Sequence, residues 1–135
     1  MIRILFGIFI VLHGLVHLLY FGQSTRFFEL QPGMVWPDGS WALSSIFGGA
    51  ATRNLASGLL ILAAVGFAAG GLGLFLKQAW WQPVVISSAV FSSTIYMLFW
   101  DGAMHSLDNK GGVGILINLA VLTAILIFHW PKFEI

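Results

Sequence analysis

The chain has 135 residues, of which 59% are hydrophobic and only 8% charged. A soluble domain carries about 25% charged residues, so too few are present to coat a water-facing surface, and the length sets one domain. A net charge of +1, scattered basic residues and no cysteine exclude a phosphate-tracking nucleic-acid surface, a thiol redox centre, a disulfide framework and cysteine-ligated zinc or iron–sulfur clusters.

The apolar residues come in long runs, not amphipathic stripes, which makes lipid the expected solvent. The runs predict an all-α membrane protein, a bundle of four transmembrane helices forming one domain over 1–135. The first span runs from about Ile4 to Phe21. It has a single arginine ahead of it, no Ala-x-Ala-like cleavage site and two histidines inside it, so it reads as a retained span and not a secretory signal. An outer loop over 22–54 follows. It is long for a compact bundle and carries Phe27, Phe28, Trp36, Trp41 and Phe47, so it is expected to be partly structured, lying on the interface or folding over the bundle mouth. Within it, Asp38-Gly39-Ser40 is placed to cap a short helix ending at Gly48-Gly49.

The second span, 55–76, supplies small residues for close helix approach, with Gly66 and Gly70 as a Gly-x-x-x-Gly pair. A tight inner turn over Lys77–Gln82 makes spans two and three antiparallel neighbours. The third span, 83–100, starts with Pro83 in its first turn and is rich in hydroxyls. Ser88 and Ser92 share a face, and serines of this kind commonly donate to carbonyls one turn earlier. A short outer loop, Asp101–Gly111, leads to the fourth span, 112–130, which Pro131 terminates. Trp80, Trp81, Trp100 and Trp130 mark the interfaces. Lys/Arg counts on the two sides are equal, and the short inner loops favour both termini inside, in a bacterial or archaeal plasma membrane.

None of the spans contains Asp, Glu, Lys or Arg, so the histidines stand out. His13 and His17 are one helical turn apart and project from one face, with Gly14 between them permitting close approach. Ionisable residues inside a membrane are costly and point into the bundle. At 1.5 Å per residue, His17 lies roughly 6 Å and His13 roughly 12 Å below the outer end, and Asn118 roughly 9 Å. Asp101 and His105 would share a face if the third helix continued. These groups are expected to converge on an outward-facing pocket, with His13, His17 and Asn118 as cofactor contacts and His17, Asp101 and His105 as metal ligands.

Three chemistries fit this set. Imidazoles with a carboxylate bind a divalent metal; a histidine pair ligates or hydrogen-bonds a haem or quinone; His–Asp pairs relay protons. Interhelical hydrogen-bonding without any ligand fits equally. A metalloprotease is excluded, because Gly14 stands where the general base would follow the first histidine. His129, beside Trp130, reads as a snorkelling boundary residue.

The segment Arg3-Ile-Leu-Phe-Gly7-Ile-Phe9-Ile-Val-Leu-His13-Gly14-Leu resembles the first helix of DoxX-like membrane proteins, small four-helix proteins typified by a subunit of thiosulfate:quinone oxidoreductase. Members often carry Lys where this chain has His17 or a neighbour. The resemblance implies a four-helix bundle and a redox-linked membrane role. The expected function is an accessory subunit of a quinone- or haem-using membrane complex. The alternatives are a small membrane oxidoreductase or metal- or quinone-binding protein using the His/Asp site, and an oligomeric transporter or channel component. Expected partners are membrane lipid and a larger complex or further copies of the chain, with no nucleic acid.

Overall fold

The computed structural model describes residues 1–134. Among them the chain is all-helical, with four α-helices and no strand: α1 (Ile2–Ser24), α2 (Ser44–Phe75), α3 (Trp81–Leu98) and α4 (Gly112–Leu126), with a 3₁₀ turn at Leu107–Lys110 before α4. Each helix packs chiefly on its neighbour in sequence, and the α1–α2 interface is the most extensive. Two helices, α1 and α2, are long and apolar enough to cross a membrane. α3 has 18 residues, but Gln82, Pro83 and its hydroxyls dilute its apolar character. α4 is apolar but has 15 residues, a rise of about 22 Å.

Small residues on α2 decide how the helices seat. A Cβ on Gly70 would press on Val85, one on Gly66 on Ser88, and one on Gly71 would meet the Gly7 carbonyl of α1 at 2.9 Å. The Gly66/Gly70 pair therefore receives α3, while Gly71 lies against α1. On α1 a Cβ at Gly14 would lie 2.6 Å from the Phe67 Cβ and 3.1 Å from the Ala64 carbonyl oxygen. Backbone approach this close is how helices gain contact when no water drives them together.

Several boundaries differ from the sequence reading. α1 continues to Ser24, and α2 begins at Ser44, well inside the expected loop. A first turn, Ser44–Phe47, stops at Gly48, whose φ of 78° and ψ of 165° are non-helical. Leucine or alanine would be strained there. Ser40 Oγ accepts from the Leu43 amide at 3.2 Å, but the N-cap is Leu43 and carries no side-chain cap bond, so Asp38-Gly39-Ser40 precedes this turn without capping it. α4 ends at Leu126, short of Trp130.

The connection between α1 and α2 is ordered by polar anchors. Gln23, at the end of α1, donates to the Met34 and Trp36 carbonyls and accepts from the Leu30 amide. Asp38 takes Arg26 at 2.6 Å and Arg53 at 2.9 Å. Together they press Trp36 into the bundle, where it is buried edge-on to Tyr20. The segment closes the bundle at this loop end; the chain termini lie at the opposite, tail end.

Two apolar clusters form the core. One, near the loop end, holds Tyr20, Trp36, Leu60, Ile95 and Tyr96. The other, towards the tail end, holds Phe6, Ile10, Leu74, Val85 and Ile125. On α1 the exposed face is wholly apolar, with Leu5, Ile8, Leu12, Leu15 and Leu19 outward, while the buried face carries His13, His17 and Gln23. That polarity is the inverse of a water-soluble helix.

Candidate functional site

Between the two apolar clusters lies one polar layer. His13 and His17 from α1, Ser92 from α3 and Asn118 from α4 are all buried, Ser92 and Asn118 with no exposed surface. The one-turn spacing of His13 and His17 brings both rings to the same interhelical space, 5.5 Å apart and edge to face. His13 Nε2 is 2.7 Å from Asn118 Oδ1. Asn118 Nδ2 donates to Ser92 Oγ at 3.0 Å and to Ser93 Oγ at 3.1 Å. Ser92 Oγ lies 2.6 Å from His17 Nε2. His17 Nδ1 faces the carbonyls of His13 and Gly14 at 3.1 and 3.2 Å.

These contacts assign the protons. Carbonyl oxygens only accept, so His17 carries its hydrogen on Nδ1, and its Nε2 accepts from the Ser92 hydroxyl. The Asn118 carboxamide oxygen likewise accepts from His13 Nε2–H. With these assignments a directed chain runs from His13 through Asn118 and Ser92 to His17 and the α1 backbone. Chains of this kind strengthen cooperatively when water is absent. Three of the four ring nitrogens are committed to protein partners.

Aromatic rings enclose the layer. Phe67 of α2 packs on both imidazoles, 4.8 Å from His13 and 5.3 Å from His17. Tyr96 stacks on His17 at 5.6 Å, and Tyr20 meets Tyr96 at 5.2 Å. Above them sits Trp36, so an aromatic column separates the polar layer from the loop end. The Tyr20 hydroxyl donates to the Asp108 carbonyl at 2.7 Å, which ties α1 to the 3₁₀ turn.

The three expected cofactor contacts, His13, His17 and Asn118, are thus brought together. The expected metal ligands are not. His17 is turned to Ser92, while Asp101 and His105 border a separate cleft of about 230 Å³ with Trp36 and Lys110. Among the described residues no group of three or more His, Asp or Glu side chains is placed to hold a metal. The shared face proposed for Asp101 and His105 fails because α3 ends at Leu98 and Gly102, at φ 81°, turns the chain.

Asp101 instead holds Lys110, which is buried, at 2.9 Å. Lys110 also donates to the His105 carbonyl. Burial raises the Asp101 pKa, but the Lys110 hydrogen bond, the Ala103 amide and the Lys110 charge outweigh it and hold the carboxyl below its ordinary 3.8.

Sequence reasoning passed over Ser92 as a partner of His17, although its place in a run of hydroxyls on one face was visible. Of its neighbours, Ser87, Ser88 and Thr94 do donate to carbonyls one turn back. Trp36 is among the loop aromatics that pointed to a segment folded over the bundle mouth, whereas Gln23, which anchors that segment, was missed, and no local pattern marks it.

Comparison of the chain with protein-family models, with curated proteins and with solved structures finds no match in any of the three.

Proposed function

We propose that this chain is a four-span integral membrane protein that serves as a non-catalytic accessory subunit of a larger membrane complex. One observation carries the reading: the two histidines of α1, His13 and His17, are held in a network of protein partners that commits three of their four ring nitrogens. A metal at His17 Nε2 would have to displace the Ser92 hydroxyl, and no carboxylate is at hand to replace it. The inverted polarity of α1 supports lipid as the solvent. α3 rises about 27 Å, close to a hydrocarbon thickness of about 30 Å, and α4 rises about 22 Å, short of it. Exposed Ile127 and Phe128 extend the apolar surface beyond α4.

On this reading the loop end lies outside, with the termini and the short turn between α2 and α3 on the cytoplasmic side. Lys and Arg number three at each end (Arg26, Arg53 and Lys110 against Arg3, Lys77 and Lys132), and the acidic partners of the loop-end cations do not enter that count. The resemblance of the first helix to DoxX-like proteins supports a quinone- or haem-using complex as the setting.

A quinone-binding protein is the second reading. It is favoured by an apolar groove of about 600 Å³ between α3 and α4, lined by Trp41, Tyr96, Met97, Trp100, Met104 and Ile115. One experiment tests both: native purification in mild detergent with partners, metals and lipids identified. A stoichiometric partner bearing a redox cofactor supports the first reading, and an extracted quinone without a partner supports the second. A chain that is monomeric, partner-free and carries one tightly bound metal refutes both.

A further inference from the structure

The tail end carries a cavity that this reading does not use. It lies between the first turn of α1 and the segment 127–134, and has a volume of about 810 Å³. Among the described residues Arg3, His129 and Lys132 line it with one carboxylate, Glu134. The segment is not loosely placed. Trp130 packs edge-on to Phe6 at 5.6 Å and Phe133 packs on Trp81 at 5.9 Å, and the Trp130 amide donates to the Ala124 carbonyl.

Among the described residues the cations there, Arg3 and Lys132, form no ion pair, and the Arg3 Nε is buried with no hydrogen-bond partner. With Nε shut away, it is the terminal nitrogens of the half-buried Arg3 guanidinium that are left to face the cavity, and a cation with no ion pair among the described residues favours an anion beside it. Around the cations the surface is apolar, with Ile2, Ile4 and Phe128 exposed. Anionic head and apolar flank together describe an amphiphile.

We propose that this cavity binds the phosphate headgroup of one anionic membrane phospholipid. The Arg3 fork holds two phosphate oxygens, the geometry for which guanidinium is suited. Lys132 supplies a second charge and His129 a ring N–H, while the acyl chains run along Ile4 and Phe128. The proposal rests on the four-span reading with the tail end at the cytoplasmic leaflet, where anionic lipids reside.

The test uses the full chain in phosphatidylcholine nanodiscs with a rising fraction of phosphatidylglycerol, and native mass spectrometry to count retained lipids. One phosphatidylglycerol per chain should be retained, saturating, in preference to phosphatidylcholine. At about fivefold per cation, R3Q with K132Q should weaken retention ~25-fold. K77Q, at the same end but outside the cavity, should leave retention unchanged. Equal retention of both lipids, retention that never saturates, or an R3Q/K132Q chain that behaves as wild type overturns the site. One-for-one displacement by inorganic phosphate would make the ligand a free anion and overturn the lipid assignment. Failure of the chain to enter nanodiscs at all would refute the membrane reading, and the lipid site with it.

Discussion

Asn118→Leu tests whether the polar layer holds the bundle together. Leucine keeps the branched outline of asparagine but is larger, so no cavity opens and overpacking of this fully buried site adds about 1–3 kcal/mol to the loss of three hydrogen bonds: from His13, and to Ser92 and Ser93. Interhelical hydrogen bonds in membranes average about 0.6 kcal/mol, with a maximum near 1.7, so three give a loss of about 2 kcal/mol. His13 Nε2–H would also be left as a buried donor without an acceptor, a penalty of about 1–3 kcal/mol. That pushes the loss to the upper part of the range. The assay is reversible unfolding in mixed micelles by SDS titration, followed by tryptophan fluorescence. His13→Leu supplies the second arm of a double-mutant cycle. Because the double variant leaves no stranded donor on this edge of the layer, its loss should fall short of the summed single losses by about 1 kcal/mol. An Asn118→Leu chain as stable as wild type, or strict additivity with His13→Leu, would refute the connected network.

Gly14→Ala should destabilise by about 1–3 kcal/mol, because the new methyl meets Phe67 Cβ and the Ala64 carbonyl at 2.6 and 3.1 Å and neither can yield cheaply. Gly58→Ala, where nothing lies within 4 Å, should be neutral or stabilise by up to about 1 kcal/mol; thermal melts in detergent compare the two. Asp38→Asn removes the counter-charge of Arg26 and Arg53, pairs exposed enough to be worth about 0–1 kcal/mol each. Global stability should barely move, while hydrogen exchange across 34–40 accelerates; unchanged exchange there would deny Asp38 its ordering role. The folded-state pKa of Asp101 is depressed below 3.8, so its contribution is present above that value and is lost as pH falls through the folded-state pKa. In Lys110→Met the depressing partner is gone, so acid-induced change in the fluorescence of Trp36 and Trp100 should begin at higher pH than in wild type.

Most of the helical layout was legible because it depends on composition over windows of about 20 residues. Solvent-facing and buried residues on α1 separated cleanly, since the polar exceptions recur every turn. The meeting of His13, His17 and Asn118 followed from the one-turn spacing of the histidines and the rise per residue. That arithmetic sets depth but not rotation, which is why Ser92 went unrecognised. Ser87, Ser88, Ser92, Ser93 and Thr94 look alike in a string, and only the seating of Val85 and Ser88 against Gly70 and Gly66 turns Ser92 inward. Helix ends were the weakest point. α3 stops at Leu98 because distant groups claim its last turn: the Trp41 indole and amide take the Met97 and Trp100 carbonyls, and Ser40 takes the Leu98 carbonyl. No local signal announces such caps, and the Asp101/His105 face was lost with them.

The placement of the polar layer between two apolar clusters bears on what it contributes. Apolar contacts in lipid carry little directional information, and Leu, Ile and Phe surfaces tolerate sliding or rotation by a residue. Directed bonds do not. A one-residue slip of α4 would carry Asn118 about 100° around its axis and break its bonds to α1 and α3 together. A rotation of α3 would offer His17 a methylene in place of the Ser92 hydroxyl. Each wrong register then leaves an imidazole or carboxamide unpaired where no water can reach, at a cost well above what the correct bonds contribute. The layer therefore selects one packing among several of similar apolar contact, a role in which modest net stabilisation and strict conformational specificity coexist. The coupling measured in the His13/Asn118 cycle separates this from simple adhesion: adhesion predicts two independent losses, selection a shared one.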